Sequence, residues 1–366
     1  MNKNAFLIII IGLLSSLTFF GQTNPEFTIV KQIKTSPVKE QALTGTCWAF
    51  ATTSFIETEA LRMGKKEYDL SEMFFVYHAY LQKAQDYVMF HGKANFGEGG
   101  QAHDVLNVIR DYGLVPESAY SGIAYDLPFH NHVEMVEDLT SIVENAAKKE
   151  KVLLPTWFLA FKSVLESFLG TPPVNFSVDG KELNPKSFND AEIGFKPDDY
   201  VEFTSYTHHP FYKKIDLELP DNWSHDRYVN IPIEDLMKII DNAIDKGYSI
   251  DWDGDVSEDN FEKGYKTGKA VLREKDITRI QKQGFQRYRQ KTFENYTTTD
   301  DHLMHIVGTA KDKDGRLFYL TKNSWGNYNG FGGYLYMSKE YVKLKGLAIL
   351  VHKDAIPKDI AKKCGL

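Results

Sequence analysis

The residues best suited to covalent chemistry lie at the start of a predicted helix. Cys47 follows a Gly-Thr turn and directly precedes Trp48-Ala49-Phe50, in a run whose apolar spacing predicts a buried helix. A thiol in the first turn of a helix faces unpaired backbone N–H groups and the positive end of the dipole, which favour the thiolate. Gln41 lies six residues upstream, and its side-chain amide is suited to donate to a developing oxyanion. This pair indicates acyl transfer, while Cys47 taken alone is equally compatible with a buried structural cysteine.

A second group of polar residues occurs near the other end of the chain. His302 begins an apolar stretch, Asn323 ends another, and a Lys-Asp-Lys-Asp-Gly turn at 311–315 lies between them. Two strands joined by a polar, glycine-containing loop predict a hairpin, which brings His302 and Asn323 close together. A histidine beside a thiol, oriented by a third polar group, makes a Cys–His nucleophilic pair. Trp325 is then placed to shield the His302–Asn323 contact from water.

In this order and spacing, the motifs resemble those of the papain-like cysteine peptidases, within them the bleomycin hydrolase and aminopeptidase C branch. The resemblance implies catalytic roles for four residues: Gln41 in the oxyanion hole, Cys47 as nucleophile, His302 as acid and base, and Asn323 as its orienting partner. It also implies that Gly99 and Gly100 bind the substrate backbone as an added strand, with Trp325 among the substrate-binding residues. The chemistry implied needs neither a metal nor an organic cofactor.

Two substitutions favour this branch over the secreted papain enzymes. Thr44 and Gly97 stand where those enzymes carry a disulfide pair. The chain has two cysteines, Cys47 and Cys364, which we interpret as a reactive thiol and a tail residue. A fold of this length can build a core large enough to stand without disulfides.

The resemblance implies an α+β, papain-like two-lobed fold, with a helical left lobe and a right lobe of antiparallel sheet or barrel. Helices are predicted near 47–64, 71–92 and 101–112, and a further helix over 233–245 precedes a strand at 248–252. The peptidase domain is predicted to span residues 22–366, with a largely helical insert at about 125–240.

Residues 1–21 predict a signal peptide. Lys3 precedes an apolar run that is shorter than a membrane span. The sequence therefore predicts a chain exported to the periplasm or secreted, with an uncleaved amino-terminal membrane anchor as the alternative.

Charge and composition limit the partners. The 366 residues carry a formal net charge of −7 and no basic stripe, so neither a nucleic-acid nor a stable membrane partner is expected. Peptide substrates are the expected partners, and a homo-oligomer, a hexamer, is implied by the resemblance only.

The sequence leaves the type of peptidase open. In the resembling branch the C-terminal tail lies in the cleft, and its carboxylate meets the substrate's amino group, which implies aminopeptidase activity. This chain ends in Lys362-Lys363-Cys364-Gly365-Leu366, a basic tail that suits an ammonium group poorly. A papain-like endopeptidase is therefore the alternative, and a peptide-binding protein without turnover is a third hypothesis.

Other polar clusters are given no catalytic role. Asp251, Asp253 and Asp255 lack the glycine that a calcium loop requires, and we expect them at a strand end where they would attract a free amino terminus. The pair His208-His209 is expected in a surface loop, without a metal. His305 is expected to point away from His302, because three positions along a strand reverse the face.

Overall fold

The computed structural model describes residues 24–366 and has the predicted α+β architecture. The helices are α1 Cys47–Arg62, α2 Glu72–Met89, α3 Ala102–Asp111, α4 Val133–Ala147, α5 Thr156–Leu169, α6 Pro185–Phe188, α7 Ile233–Lys246, α8 Asp259–Thr267, α9 Glu274–Gln283, α10 Phe285–Glu294, α11 Lys339–Lys345 and α12 Lys358–Cys364. The strands are β1 Phe27–Gln32, β2 Phe176–Val178, β3 Lys181–Leu183, β4 Tyr200–Thr204, β5 Lys213–Asp216, β6 Arg227–Asn230, β7 Ile250–Gly254, β8 Lys269–Ala270, β9 His302–Asp312, β10 Leu317–Lys322, β11 Tyr334–Ser338 and β12 Gly346–His352.

Three helices with well-formed starts build the left lobe. The Ser71 hydroxyl caps α2 by accepting from the Phe74 backbone N–H, and a capping box formed by Gln101 and Asp104 begins α3. Helix α1 is buried over most of its length, and its apolar side chains share one core with those of α2 and α3. The helices predicted near 47–64, 71–92 and 101–112 are confirmed.

The right lobe is one large sheet. Within the described residues, its strand order is β5-β6-β4-β12-β7-β9-β10-β11-β8, and β1 also pairs with β9. The pairs β4–β6 and β11–β8 are parallel, and the other pairs are antiparallel. Side chains alternate across β9, so Leu303 packs in the core of α1 whereas Met304 packs in the core of α7. Helices α1 and α7 therefore cover opposite faces of the sheet.

The segment predicted as an insert has two structural parts. Helices α4 and α5 pack against each other and against α2, so they extend the helical lobe. Strands β4, β5 and β6 join the large sheet instead, through the pairing of β4 with β12. The part that lies outside the sheet therefore ends before Tyr200.

The last helix packs beside α7. Ile360 is buried in the same core as the α7 side chains, and Lys363 contacts Asp235 of α7 at 3.3 Å. The backbone N–H groups of Gly365 and Leu366 donate back to Lys362 and Ala361 within α12. The C-terminal tail thus lies with α7, on the face of the sheet opposite α1.

Candidate active site

The β9–β10 hairpin brings His302 and Asn323 together. The two strands pair in antiparallel register, with Lys322 opposite His305, so the first residue of β9 lies beside the residue that follows β10. His302 Nε2 is 2.7 Å from Asn323 Oδ1, and the Ser324 backbone N–H donates to the same oxygen at 2.8 Å. Because the Asn323 amide oxygen can only accept a hydrogen bond, it fixes the tautomer of His302 that carries its proton on Nε2. The lone pair of Nδ1 is thereby left free to accept a proton from a nucleophile.

Cys47 is the first residue of α1, next to this histidine in space. The backbone N–H of Leu303 forms a hydrogen bond with the Cys47 sulfur, and α1 packs on β9. Burial nevertheless raises the pKa of Cys47 to about 12; the Leu303 N–H opposes the rise, and the carboxylates of Asp300, Asp253 and Asp221 add to it.

The charge state of the free site differs from the prediction for this thiol. Burial lowers the pKa of His302 to about 4, against the effect of its bond to Asn323. In the free protein, burial outweighs the helix dipole and favours a neutral thiol beside a neutral imidazole.

Gln41 lies in the irregular segment that precedes α1 and is nearly fully buried. Its Nε2 donates to the Thr44 carbonyl at 2.8 Å, and its Oε1 accepts from the Ser324 hydroxyl at 2.7 Å. The amide nitrogen carries two protons, so one remains available for an oxyanion. Sequence reasoning missed the positioning role of Ser324, although its place directly after Asn323 was a usable signal.

Trp325 covers the imidazole. The centroids of the His302 and Trp325 rings are 4.7 Å apart, and the ring planes are tilted by 33°. Tyr265 and Phe261 pack edge-on against the outer part of Trp325, at 5.0 and 6.0 Å. These contacts place Trp325 as a shield on His302.

The glycine loop is held tightly against α1. A Cβ on Gly100 would lie 2.8 Å from both Asp104 Oδ2 and the ring of Trp48, so this backbone approaches the indole more closely than any other residue would allow. Lys83 is buried and donates to the carbonyl oxygens of Gly97 and Gly99. The Gly99 carbonyl is therefore already occupied in the free protein.

The three carboxylates of β7 and its end have different surroundings. Asp251 accepts from Thr52 at 2.6 Å, and Asp255 is paired with Lys345 at 2.7 Å. Asp253 lies between them; no N–H or hydroxyl group among the described residues donates to it, but its carboxyl shares a hydrogen bond with that of Asp300. Burial and the adjacent carboxyl of Asp300 hold the pKa of Asp253 well above its usual range.

His305 and the pair His208-His209 have the surroundings that the sequence suggested, with one addition. His305 points to α1, where its Nδ1 lies 2.9 Å from the Ser54 hydroxyl. His208 and His209 both contact the Glu218 carboxylate at 2.9 Å, in the one group of possible metal ligands found among the described residues. Sequence reasoning missed Glu218, because β5 intervenes between it and the two histidines.

Three relatives by sequence and one solved structure illustrate what this chain is similar to. Cysteine proteinase 1, mitochondrial, of Saccharomyces cerevisiae is 22% identical over 96% of this chain and 82% of its own length. Aminopeptidase G and aminopeptidase C of Lactobacillus delbrueckii are each 22% identical, over 90% and 93% of this chain and 83% and 84% of their own lengths. The crystal structure of PepW from Lactobacillus rhamnosis superposes with a TM-score of 0.73 at 18% identity, covering 92% of this chain and 84% of PepW.

The predicted localisation is corrected by these relatives. The sequence predicted export, with a membrane anchor as the alternative, but the yeast relative is named a mitochondrial proteinase and the bacterial relatives are named as aminopeptidases, so the prediction of export is wrong. The predicted signal peptide, residues 1–21, lies outside the described residues. Over residues 24–366, none of the helices has the length and apolar character needed to cross a bilayer.

The family model extends over almost the whole chain. It is described as the Peptidase C1-like family and matches residues 14–365, which include both lobes and every residue of the site described above. The papain-like fold and the cysteine peptidase family predicted from the motifs are confirmed. This chain belongs to the Peptidase C1-like family.

Proposed function

We propose that this chain is a cysteine aminopeptidase in which Cys47 is the nucleophile and His302 the acid and base. The observation that carries the proposal is the 2.7 Å contact between His302 Nε2 and Asn323 Oδ1, which leaves Nδ1 free for Cys47. The Cys47 thiol transfers its proton to Nδ1 as the sulfur attacks the peptide carbonyl carbon. His302 then returns that proton to the leaving amine, and water hydrolyses the thioester with His302 as base.

The developing oxyanion needs donors that are in place before the reaction. The second N–H of the Gln41 amide and the backbone N–H of Cys47, in the first turn of α1, are suited to this role. Ser324 and Thr44 hold the Gln41 amide from both ends. The catalytic set therefore comprises Cys47, His302, Asn323 and Gln41, with Trp325, Gly99 and Gly100 on the substrate side.

Two observations favour an aminopeptidase over an endopeptidase. The relatives from Lactobacillus delbrueckii are named aminopeptidases. The Gly99 carbonyl, which a longer peptide would use in pairing as a strand, already gives one of its two lone pairs to Lys83.

The test compares aminoacyl coumarin amides that have a free or an acetylated amino group, under reducing conditions. We expect release from the free-amino substrates, its loss in Cys47→Ala, and its retention in Cys364→Ala, which removes the chain's other thiol. Release from acetylated substrates at a similar rate would instead support the endopeptidase. Absence of release from both would support the peptide-binding protein without turnover.

The domain limits and the assembly rest on the resemblance. We propose one peptidase domain over residues 22–366, in which the segment at about 125–240 is the insert. A hexamer is the assembly that the resemblance implies. Light scattering on the purified chain tests it, and a monomer would contradict it.

A further inference from the structure

An aminopeptidase needs a negatively charged group that meets the free amino terminus of its substrate. Carboxylate side chains near the Cys47 thiol are the groups suited to this role. Three carboxylates, Asp221, Asp253 and Asp300, act on the charge of Cys47 through space.

Asp221 stands directly over the glycine loop. It lies in the connection between β5 and β6, and a Cβ on Gly99 would collide with its carboxylate. Asn95 donates to Asp221 Oδ1 at 2.8 Å, and the nearby Trp223 indole donates to Asp104 Oδ2 at 3.0 Å, so the connection is fixed to the helical lobe. A peptide that extended along Gly99 would meet the Asp221 side chain.

A cavity opens beside this point. It has a volume of about 580 Å³, and Asp221 and Asp300 both belong to its wall, together with apolar side chains that include Leu219 and Phe293. Asp300 is half-buried, with one oxygen held at 2.7 Å by the Gln101 amide. The buried Asp253 shares a hydrogen bond with Asp300. The cavity therefore combines room for a side chain with two carboxylates, Asp221 and Asp300, in its wall.

The electrostatics of the group favour an incoming cation. Burial, with the charge of Asp221 next, raises the pKa of Asp300 to about 7. Lys83 offsets part of the charge at Asp221, but its ammonium is already held by the carbonyls of Gly97 and Gly99. An ammonium group placed here would relieve the repulsion between the carboxylates. It would also remove negative charge that raises the pKa of Cys47.

We propose that Asp221 and Asp300 bind the free α-ammonium of the substrate's first residue, and that the β5–β6 connection closes the cleft beyond that residue. The inference rests on the proposed aminopeptidase function and names the residues that give it its specificity. The side chain of the first residue would occupy the adjacent cavity.

The experiment measures kcat and KM for alanyl and acetyl-alanyl coumarin amides with Asp221→Asn and Asp300→Asn. Both variants keep an acceptor oxygen for Asn95 or Gln101 and remove one charge. We expect kcat/KM for the free-amino substrate to fall about 10- to 100-fold, mainly through KM, which is the effect of losing a hydrogen bond between charged groups. The wild-type protein should cleave the acetylated substrate only slowly, and these two variants should not lower that rate further. Asp221→Gly should raise it by admitting the acetylated substrate to the cleft.

The matched control is Asp314→Asn, which removes the same charge from the exposed turn between β9 and β10. It should leave both substrates unaffected. An equal loss for both substrates in Asp300→Asn, or no loss in either cleft variant, would overturn the proposal.

A second measurement separates this proposal from the proposed function. Alaninamide and acetyl-alaninamide are titrated into Cys47→Ala and into Cys47→Ala with Asp221→Asn and Asp300→Asn. A preference for the free amine that disappears in the triple variant supports the ammonium site, even if the wild-type protein shows no hydrolysis. Equal binding of the two amides by Cys47→Ala would overturn it.

Discussion

Ser324 holds Gln41 across the two lobes. The Ser324 hydroxyl donates to Gln41 Oε1 at 2.7 Å, although the residues are 283 positions apart in the chain. The backbone N–H of Ser324 donates in the other direction, to Asn323 Oδ1. One residue therefore orients both the proposed oxyanion donor and the partner of His302.

Ser324→Ala should lower kcat about tenfold with little change in KM, because the loss of one orienting hydrogen bond frees the Gln41 amide to rotate. The backbone bond to Asn323 is unaffected by this change. Steady-state measurements of kcat and KM check that the loss lies in kcat. Ser324→Thr, which keeps the hydroxyl, should recover most of the rate. A purely structural role would instead show as equal losses in both variants.

Asn323→Asp should move the acid limb of the kcat/KM profile to higher pH. A carboxylate beside Nε2 favours the imidazolium, so the pKa of His302, lowered by burial to about 4, should rise. The neutral imidazole needed as base is then present only at higher pH. Asn323→Ala, which removes the acceptor, should cost about 100-fold or more in kcat, on the scale of general acid–base catalysis. An unshifted acid limb in Asn323→Asp would contradict the orienting role.

Gly100→Ala should destabilise the protein by about 1–3 kcal/mol, because the new methyl group would overlap the Trp48 ring and Asp104. Gly97→Ala is the matched control in the same loop, since a Cβ there would have open space around it. Urea unfolding of both variants measures the difference. Equal midpoints for the two would show that the loop relaxes away from Trp48.

His103 should make stability depend on pH above neutrality. Burial lowers its pKa, but the Glu202 carboxylate, 2.9 Å away, raises it more, to about 9. Because the folded value lies above the unfolded one, the contribution is complete below about pH 6.5 and is lost as the pH rises towards 9.

The size of that contribution is on the order of 3 kcal/mol. The urea midpoints of the wild-type protein and of His103→Gln are compared at pH 6 and at pH 9.5. The difference between the two proteins separates the His103 contribution from that of the other titrating groups. The gap between the two proteins should be wide at pH 6 and narrow at pH 9.5. A gap that does not change with pH would mean that His103 is neutral in the fold.

Removal of Gly365 and Leu366 should leave the preference for free-amino substrates intact. These residues bond back to α12, which packs on α7 rather than near Cys47. The ratio of kcat/KM for free and acetylated substrates measures the preference. A large drop in that ratio would indicate that the terminal carboxylate, rather than Asp221 and Asp300, recognises the ammonium group.

The sequence by itself determined the fold class, the family and the elements of the left lobe. Cys47 at a helix start and the strand–turn–strand pattern that places His302 near Asn323 depend on local spacing, which the chain encodes directly. The relation of Gln41 to Cys47 is local for the same reason. In contrast, the leader pattern led to the wrong prediction of export, because composition at the end of a chain does not specify a compartment.

Only the tertiary structure decided what surrounds these residues. The pKa of Cys47 depends on burial and on Asp221 and Asp300, which come from distant segments and whose approach no local pattern encodes. The carboxylates of β7 and its end looked equivalent in sequence, yet Thr52 and Lys345 pair with two of them, whereas Asp253 shares a hydrogen bond with Asp300. Local spacing fixes which residues share an element, whereas pairing and charge depend on which elements pack together.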